Sequence, residues 1–147
     1  FQYGDQTEVS RSSSPGNRFI PGKRPMSTMN PVIVKNKDNN ISIITGSPGG
    51  SFIPAAALRV ITGIIDFNLD VGQATMLPRI HKDWPYAGLE YESTLSSDIV
   101  SVLERLGHQP EASKTLGSTQ SISIIDGINY GYADLRRPNA GVAIQVD

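Results

Sequence analysis

The stretch Ile41-Ser42-Ile43-Ile44-Thr45-Gly46-Ser47-Pro48-Gly49-Gly50-Ser51 decides how the rest of the chain is read. A β-branched run ends in a glycine-rich turn. After Phe52, apolar residues continue at helical spacing from Ile53 to Phe67. Strand, tight turn and helix aim backbone N–H groups at one point. The first N–H groups of a helix lack internal partners, and the helix dipole adds partial positive charge there. Gly49 and Gly50 permit positive φ and let a ligand approach the main chain closely. The turn reads as a main-chain cradle for an anion or oxyanion. It is not a P-loop, because no lysine follows the glycines. It is not a dinucleotide fingerprint either, because G-x-G-x-x-G is absent and Pro48 removes a donor. By pattern alone, a plain strand-to-helix turn accounts for the stretch equally well.

Outward from the turn, residues 31–36 and 40–45 read as an antiparallel hairpin joined by Lys37-Asp38-Asn39-Asn40. Val32, Ile33 and Val34 make the first strand apolar on both faces, which predicts burial from both sides. Ser51 is the expected cap of the long helix, with Pro54 in its first turn. Ile53, Ala57, Leu58, Ile61, Ile64 and Ile65 make that helix apolar nearly all round, so it is expected to be buried. Gly63 costs it about 1 kcal/mol relative to alanine unless packing needs the space. Asp70 is expected to cap a short helix that runs through Met76 and ends before Pro78.

Residues 78–85 read as a loop, packed by His81 and Trp84. The two histidines, His81 and His108, are far apart and lack an H-E-x-x-H pattern, so no metal site is expected. Leu89-Glu90-Tyr91 is a short strand. Ser96 or Ser97 caps a helix to about Leu106, with Ile99, Val100, Leu103 and Leu106 as its inner face and Gly107 as its stop. Residues 109–116 read as a loop. Residues 121–125 and 128–133 form a second hairpin around Asp126-Gly127. In the turn that follows, Asp134 is expected to pair with Arg136 or Arg137 at the surface, where such pairs contribute under about 1 kcal/mol. Residues 140–146 read as a last strand. The sum is a layered α+β domain with helices packed on sheet.

At 147 residues the chain is long enough for one domain with a real core. A net charge of −1 gives no field for nucleic acid or an acidic membrane. The absence of cysteine removes disulfides, thiol chemistry and zinc–thiolate sites. No apolar run approaches the roughly 18 residues of a membrane span. Residues 1–20, rich in Ser, Gly, Pro, Asn and charge, read as an irregular exposed segment. The start at Phe1 suggests a processed or partial product.

Several dispersed pieces, taken in order, resemble the γ-glutamyltranspeptidase family in its small subunit. Pro21-Gly22-Lys23-Arg24-Pro25-Met26-Ser27-Thr28-Met29-Asn30-Pro31 is similar to its P-x-K-R-x-x-S-S-M-S-P stretch. Gly46 to Ser51 is similar to its glycine-rich turn. Asp66-Phe67, Ala74 and Pro78-Arg79-Ile80-His81 resemble its D-[FY]…A…P-R-[FI]-H run. Gly117-Ser118-Thr119-Gln120 and Asp134-Leu135-Arg136 resemble its G-[ST]-x-Q and D-P-R elements, with Leu135 where proline is usual.

The resemblance implies an N-terminal nucleophile hydrolase with an αββα sandwich of antiparallel sheets covered by helices, in which residues 21–147 form the C-terminal portion of the small-subunit catalytic domain. It implies a self-cleaving precursor whose freed threonine attacks a γ-glutamyl amide, as in glutathione, with its own α-amine as base. The acyl group then passes to water or an amine. Gly49 and Gly50 would supply the oxyanion hole. Ser27 and Thr28 would bind the substrate α-carboxylate, although by themselves they read as a turn satisfying its own backbone. The nucleophile would lie upstream, since Phe1 is no nucleophile and Thr7 lacks the family's flanking sequence. The implied partners are a large subunit, an upstream small-subunit segment and a small γ-glutamyl substrate. No cofactor or metal is implied, and the implied compartment is extracytoplasmic: periplasmic, secreted or cell-surface. Alternatives are a related acylase or poly-γ-glutamate enzyme, or a non-catalytic family-like subunit.

Overall fold

The computed structural model describes residues 20–83 and 88–143. The chain runs β1 (Val32–Lys35), β2 (Ile41–Gly46), a 3-10 turn (Gly50–Phe52), α1 (Ile53–Ile65), α2 (Val71–Met76), β3 (Ile80–His81), β4 (Gly88–Glu92), α3 (Ser97–Arg105), β5 (Gln109–Ser113), β6 (Gln120–Ile125) and β7 (Ile128–Ala133). Strands β1-β2-β6-β7 make a four-stranded antiparallel sheet. Strands β3-β4-β5 make a second, three-stranded sheet, antiparallel between β3 and β4 and parallel between β4 and β5. The α+β reading and both hairpins stand. Asp126 and Gly127 both have positive φ, 51° and 78°, as a two-residue type I′ turn requires.

Helices α1 and α2 cover one face of the larger sheet. Ile43, Thr45, Ser121 and Ser123 are buried on that face, against Ala56, Ala57 and Val60 of the α1 layer. Thr45 and Ser121, opposite each other in the register, share a 2.8 Å hydroxyl–hydroxyl hydrogen bond. Asp70 starts α2 with a full capping box: its carboxylate accepts the Gln73 N–H at 2.7 Å, and its own N–H donates to the Gln73 side chain at 3.2 Å.

The other face carries Ile33, Ile44 and Ile122, which are register partners across three strands. No described element covers Ile33, which is 61% exposed. The expected burial of β1 on both faces is therefore wrong for these residues: β1 is an edge strand, and only Val32 and Val34 are half-buried. At the far edge, a Cβ on Gly131 would come within 3.0 Å of Val142. The segment after β7 thus reaches back over the sheet, and its described residues 140–143 form no strand, contrary to expectation.

Other expectations are corrected by tertiary context. The cap position of α1 is Phe52, not Ser51, because a 3-10 turn intervenes. Only Ala56, Ala57, Val60 and Gly63 of α1 are buried. Leu58 and Ile65 are exposed, so the helix rests on the sheet by one face. No residue of α3 is buried, and Leu106, expected on its inner face, is 69% exposed. Residues 109–113 pair as edge strand β5 instead of looping, an edge being where Pro110 is tolerated. Ile80-His81 pairs with Tyr91 and Glu90 where a loop was expected.

Gly63 is explained by packing. A Cβ there would lie 3.0 Å from the Ala74 Cβ and 3.5 Å from Leu77, so the missing side chain lets α1 and α2 approach. Gly63→Val is expected to destabilise the protein by about 1–3 kcal/mol through overpacking, read as a lower denaturant midpoint at unchanged slope.

Candidate functional site

The antiparallel register collects four separate stretches at one end of the larger sheet. Val32 opposes Thr45, so the segment before β1, with Ser27 and Thr28, and the turn after β2, with Gly49 and Gly50, leave from the same end. The Pro31 Cα lies 3.9 Å from where a Cβ on Gly46 would sit. Gly46 opposes Gln120, which brings Gly117-Ser118-Thr119 to that end. Gln120 opposes Ala133, which brings Asp134-Leu135-Arg136 there too.

The glycine turn is exposed and left-handed. Gly49 has φ 136° and Gly50 φ 58°, conformations that favour residues without a Cβ. A Cβ on Gly49 would stand 3.2 Å from the Gly117 Cα. The Gly49 carbonyl accepts the Phe52 N–H at 3.2 Å. The Gly49 and Gly50 N–H groups donate to no acceptor among the described residues. Both therefore remain available at the start of α1, where the helix dipole favours negative charge. Ser27 is exposed and its hydroxyl oxygen accepts the Met29 N–H at 3.2 Å, while Thr28 is half-buried. The local turn read from sequence is thus present, and it leaves the Ser27 hydroxyl proton free to donate.

Beneath these loops lies a buried quartet of charges. The Arg79 guanidinium is 2.7 Å from an Asp134 carboxylate oxygen, at 2% and 0% side-chain exposure. Arg136 grips Glu92 in a bidentate pair, Nε to one oxygen and Nη2 to the other, both at 2.7 Å, and reaches Asp134 at 3.2 Å. Each member also holds main chain. Arg79 donates to the carbonyls of Thr75 and Leu116 and to the Thr119 hydroxyl. Asp134 accepts the N–H groups of Thr119 and Arg136. Glu92 accepts those of Arg79 and Leu116. Arg136 donates to the carbonyls of Thr75 and Leu77. Asp134 is no surface partner of Arg136, as the sequence suggested; it is the centre of this network.

Burial pushes the Asp134 carboxyl up, but the Arg136 N–H, the Arg79 guanidinium and the Thr119 N–H together hold it below the usual carboxylate range. Burial lowers Arg79, and the nearby Arg136 charge adds to that. Burial also acts against Arg136, but its bonds to Glu92 and Asp134 raise it above its ordinary value. The lowering of Arg79 and the lowering of Asp134 point in opposite senses for their shared bond. The 2.7 Å geometry supports the ionised pair, since a guanidinium stays protonated far above neutral pH.

His81 packs edge-on against Phe52, with ring centroids 4.8 Å apart, and its Nε2 lies 2.8 Å from an Asp83 carboxylate oxygen. This matches the packing role expected of it; Trp84 lies outside the described residues. Among the described residues, no group of three or more His, Cys, Asp or Glu side chains could hold a metal ion. No helix among them is long and apolar enough to cross a membrane.

Sheet, helix layer and exposed glycine turn define an α+β domain of the N-terminal nucleophile hydrolase type, a likeness borne out by solved structures. The family profile described as Gamma-glutamyltranspeptidase matches residues 1–144, and the chain belongs to that family. The glutathione hydrolase proenzyme of Escherichia coli (strain K12) is 42% identical over 121 residues, covering 82% of this chain and 21% of that protein. The glutathione hydrolase proenzyme of Bacillus subtilis (strain 168) is 34% identical over 133 residues, covering 88% and 22%. A mutant Helicobacter pylori gamma-glutamyltranspeptidase structure superposes with TM-score 0.78 at 32% identity, covering 85% of this chain and 69% of that one. The chain spans about a fifth of the length of the curated relatives it matches.

Removing one member of a buried ion network leaves an uncompensated charge. Asp134→Ala is expected to cost about 3–5 kcal/mol, measured by chemical unfolding. The pH dependence has a definite sign. The unfolded carboxyl binds its proton at higher pH than the folded one. The contribution of Asp134 is therefore fully present above about pH 4 and is lost as pH falls through the lower, folded value. Unfolding midpoints between pH 7 and pH 2 should show this acid loss, and Asp134→Ala should remove its share.

Proposed function

We propose that this chain is the C-terminal portion of the small-subunit catalytic domain, residues 21–147, of a γ-glutamyl transferase or hydrolase acting on glutathione-like γ-glutamyl amides. An N-terminal threonine on a preceding segment of the precursor attacks the γ-carbonyl carbon, and its α-amine takes the hydroxyl proton. The oxyanion that develops is met by the Gly49 and Gly50 N–H groups. The amine leaves, and water or another amine takes the γ-glutamyl group from the threonine. Ser27 and Thr28 hold the substrate α-carboxylate by hydroxyl and backbone donors. What carries this reading is that two unbonded N–H groups at a helix start share one sheet end with the Ser27-Thr28 turn.

The partners in this reading are a large subunit and the upstream small-subunit segment, in keeping with relatives that are named proenzymes. The isoleucine face on which Ile33 and Ile122 are exposed suits the second sheet of the sandwich. In this reading the enzyme works outside the cytoplasm.

Steady-state release of glutamate from glutathione, measured on the full processed enzyme, tests the assignment. Gly49→Ala, whose Cβ meets Gly117 and whose φ is unfavourable, is expected to lower kcat by about 10²–10³. Ser27→Ala is expected to raise KM roughly tenfold or more with little change in kcat, the effect of losing a bond to a charged group. Residues 1–147 alone are expected to be inactive. Activity of the isolated chain, or full activity of both variants, would overturn the assignment.

A further inference from the structure

Ser47 stands immediately before the glycine turn and is not part of the cradle itself. Its hydroxyl nevertheless makes two bonds of opposite sense. It donates to the Pro48 carbonyl at 2.7 Å, and it accepts the Ser118 N–H at 2.9 Å. The Pro48 carbonyl and the Gly49 N–H belong to one planar peptide unit and point in opposite directions. Whatever holds the carbonyl therefore sets where the N–H is aimed. The next peptide unit is held the same way, because the Gly49 carbonyl accepts the Phe52 N–H.

A glycine turn without such restraints is free to rotate its peptide planes, since glycine populates both signs of φ. Pro48 cannot itself donate a hydrogen bond, so it adds no competing restraint. The far end of the device is rigid. Ser118 lies between Gly117, which packs on Gly49, and Thr119, whose N–H and hydroxyl are tied into the buried charge quartet. Gly117 leaves room for the Ser47 hydroxyl: a Cβ there would stand 2.8 Å from it.

We propose that Ser47 is a positioning residue for the oxyanion cradle, whose hydroxyl, seated on the Ser118 N–H, holds the Pro48 carbonyl and so turns the Gly49 N–H to the open side of the turn. This rests on the reading of Gly49 as an oxyanion donor. Ser47 touches no reacting atom. It acts by holding a dipole in place before charge develops, which makes the dipole effective in the transition state rather than in substrate binding.

The test uses the full processed enzyme and a chromogenic γ-glutamyl anilide, with single-turnover acylation, KM and Tm measured together. Ser47→Ala is expected to slow acylation roughly ten- to a hundredfold, less than loss of a whole donor, with KM and Tm nearly unchanged. Ser47→Thr, which keeps the hydroxyl, is expected to restore the rate. Amide-to-ester exchange at Gly49, which replaces its N–H by oxygen, is expected to slow acylation more than Ser47→Ala. If the ester slows acylation and Ser47→Ala does not, the role of Ser47 is overturned and the cradle stands. If the ester has no effect, the cradle reading falls, and the role of Ser47 with it. A rate loss in Ser47→Ala that tracks a lower Tm, or that Ser47→Thr does not repair, also overturns the proposal. Should Ser47→Ala not yield processed enzyme, Ser47→Cys, a weaker donor, takes its place under the same criteria.

Discussion

Two guanidinium groups and two carboxylates, with side-chain exposures no higher than 10%, hold one end of the larger sheet together. Arg79, Asp134, Arg136 and Glu92 balance to zero net charge, and most of their remaining donors and acceptors are spent on main chain. A buried ion pair is weak evidence of stability, because desolvation offsets much of the attraction. An apolar cluster of equal volume would fill the space. It would not fix the directions of the Leu116 and Thr75 carbonyls or of the Thr119 N–H. The network is better understood as a device for orientation than as a store of stability.

From that anchor, order passes outward in short steps. Thr119 is held by Asp134 and Arg79, its neighbour Ser118 donates to Ser47, and Gly117 packs against Gly49. The exposed glycine turn thus sits on a rigid base although none of its residues is buried. In the proposed reading, this base lets the turn present its N–H groups to a small substrate without rearranging. Leu135, which stands between two members of the network, is 67% exposed and lies outside the packed region.

The same chain leaves much apolar surface open. Ile33 and Ile122 on the sheet, Leu58 and Ile65 on α1, Ile99 on α3 and Leu106 just after it are all exposed. In a monomer of this size such surface would be a liability. In the proposed reading this surface meets the rest of the sandwich. Several burial expectations overshot because the helical and strand patterns were read correctly as apolar, but no matching surface lies among the described residues.

The local grammar of the chain was legible without a structure: both hairpins, the turn at Asp126-Gly127, the Asp70 helix cap and the turn between β2 and α1. Each depends on residues a few positions apart, so propensity and spacing decide it. The parallel pairing of β5 with β4 and the deep burial of Asp134 were not legible, because their partners lie far away in sequence. Nothing in Asp134-Leu135-Arg136 announces that Arg79 and Glu92 wait across the fold. The main-chain reading of the glycine turn named Gly49 and Gly50 as candidates, and the family resemblance named Ser27 and Thr28. Only antiparallel register, which aligns the ends of strands regardless of how far apart they are in sequence, decided that these residues share one end of one sheet.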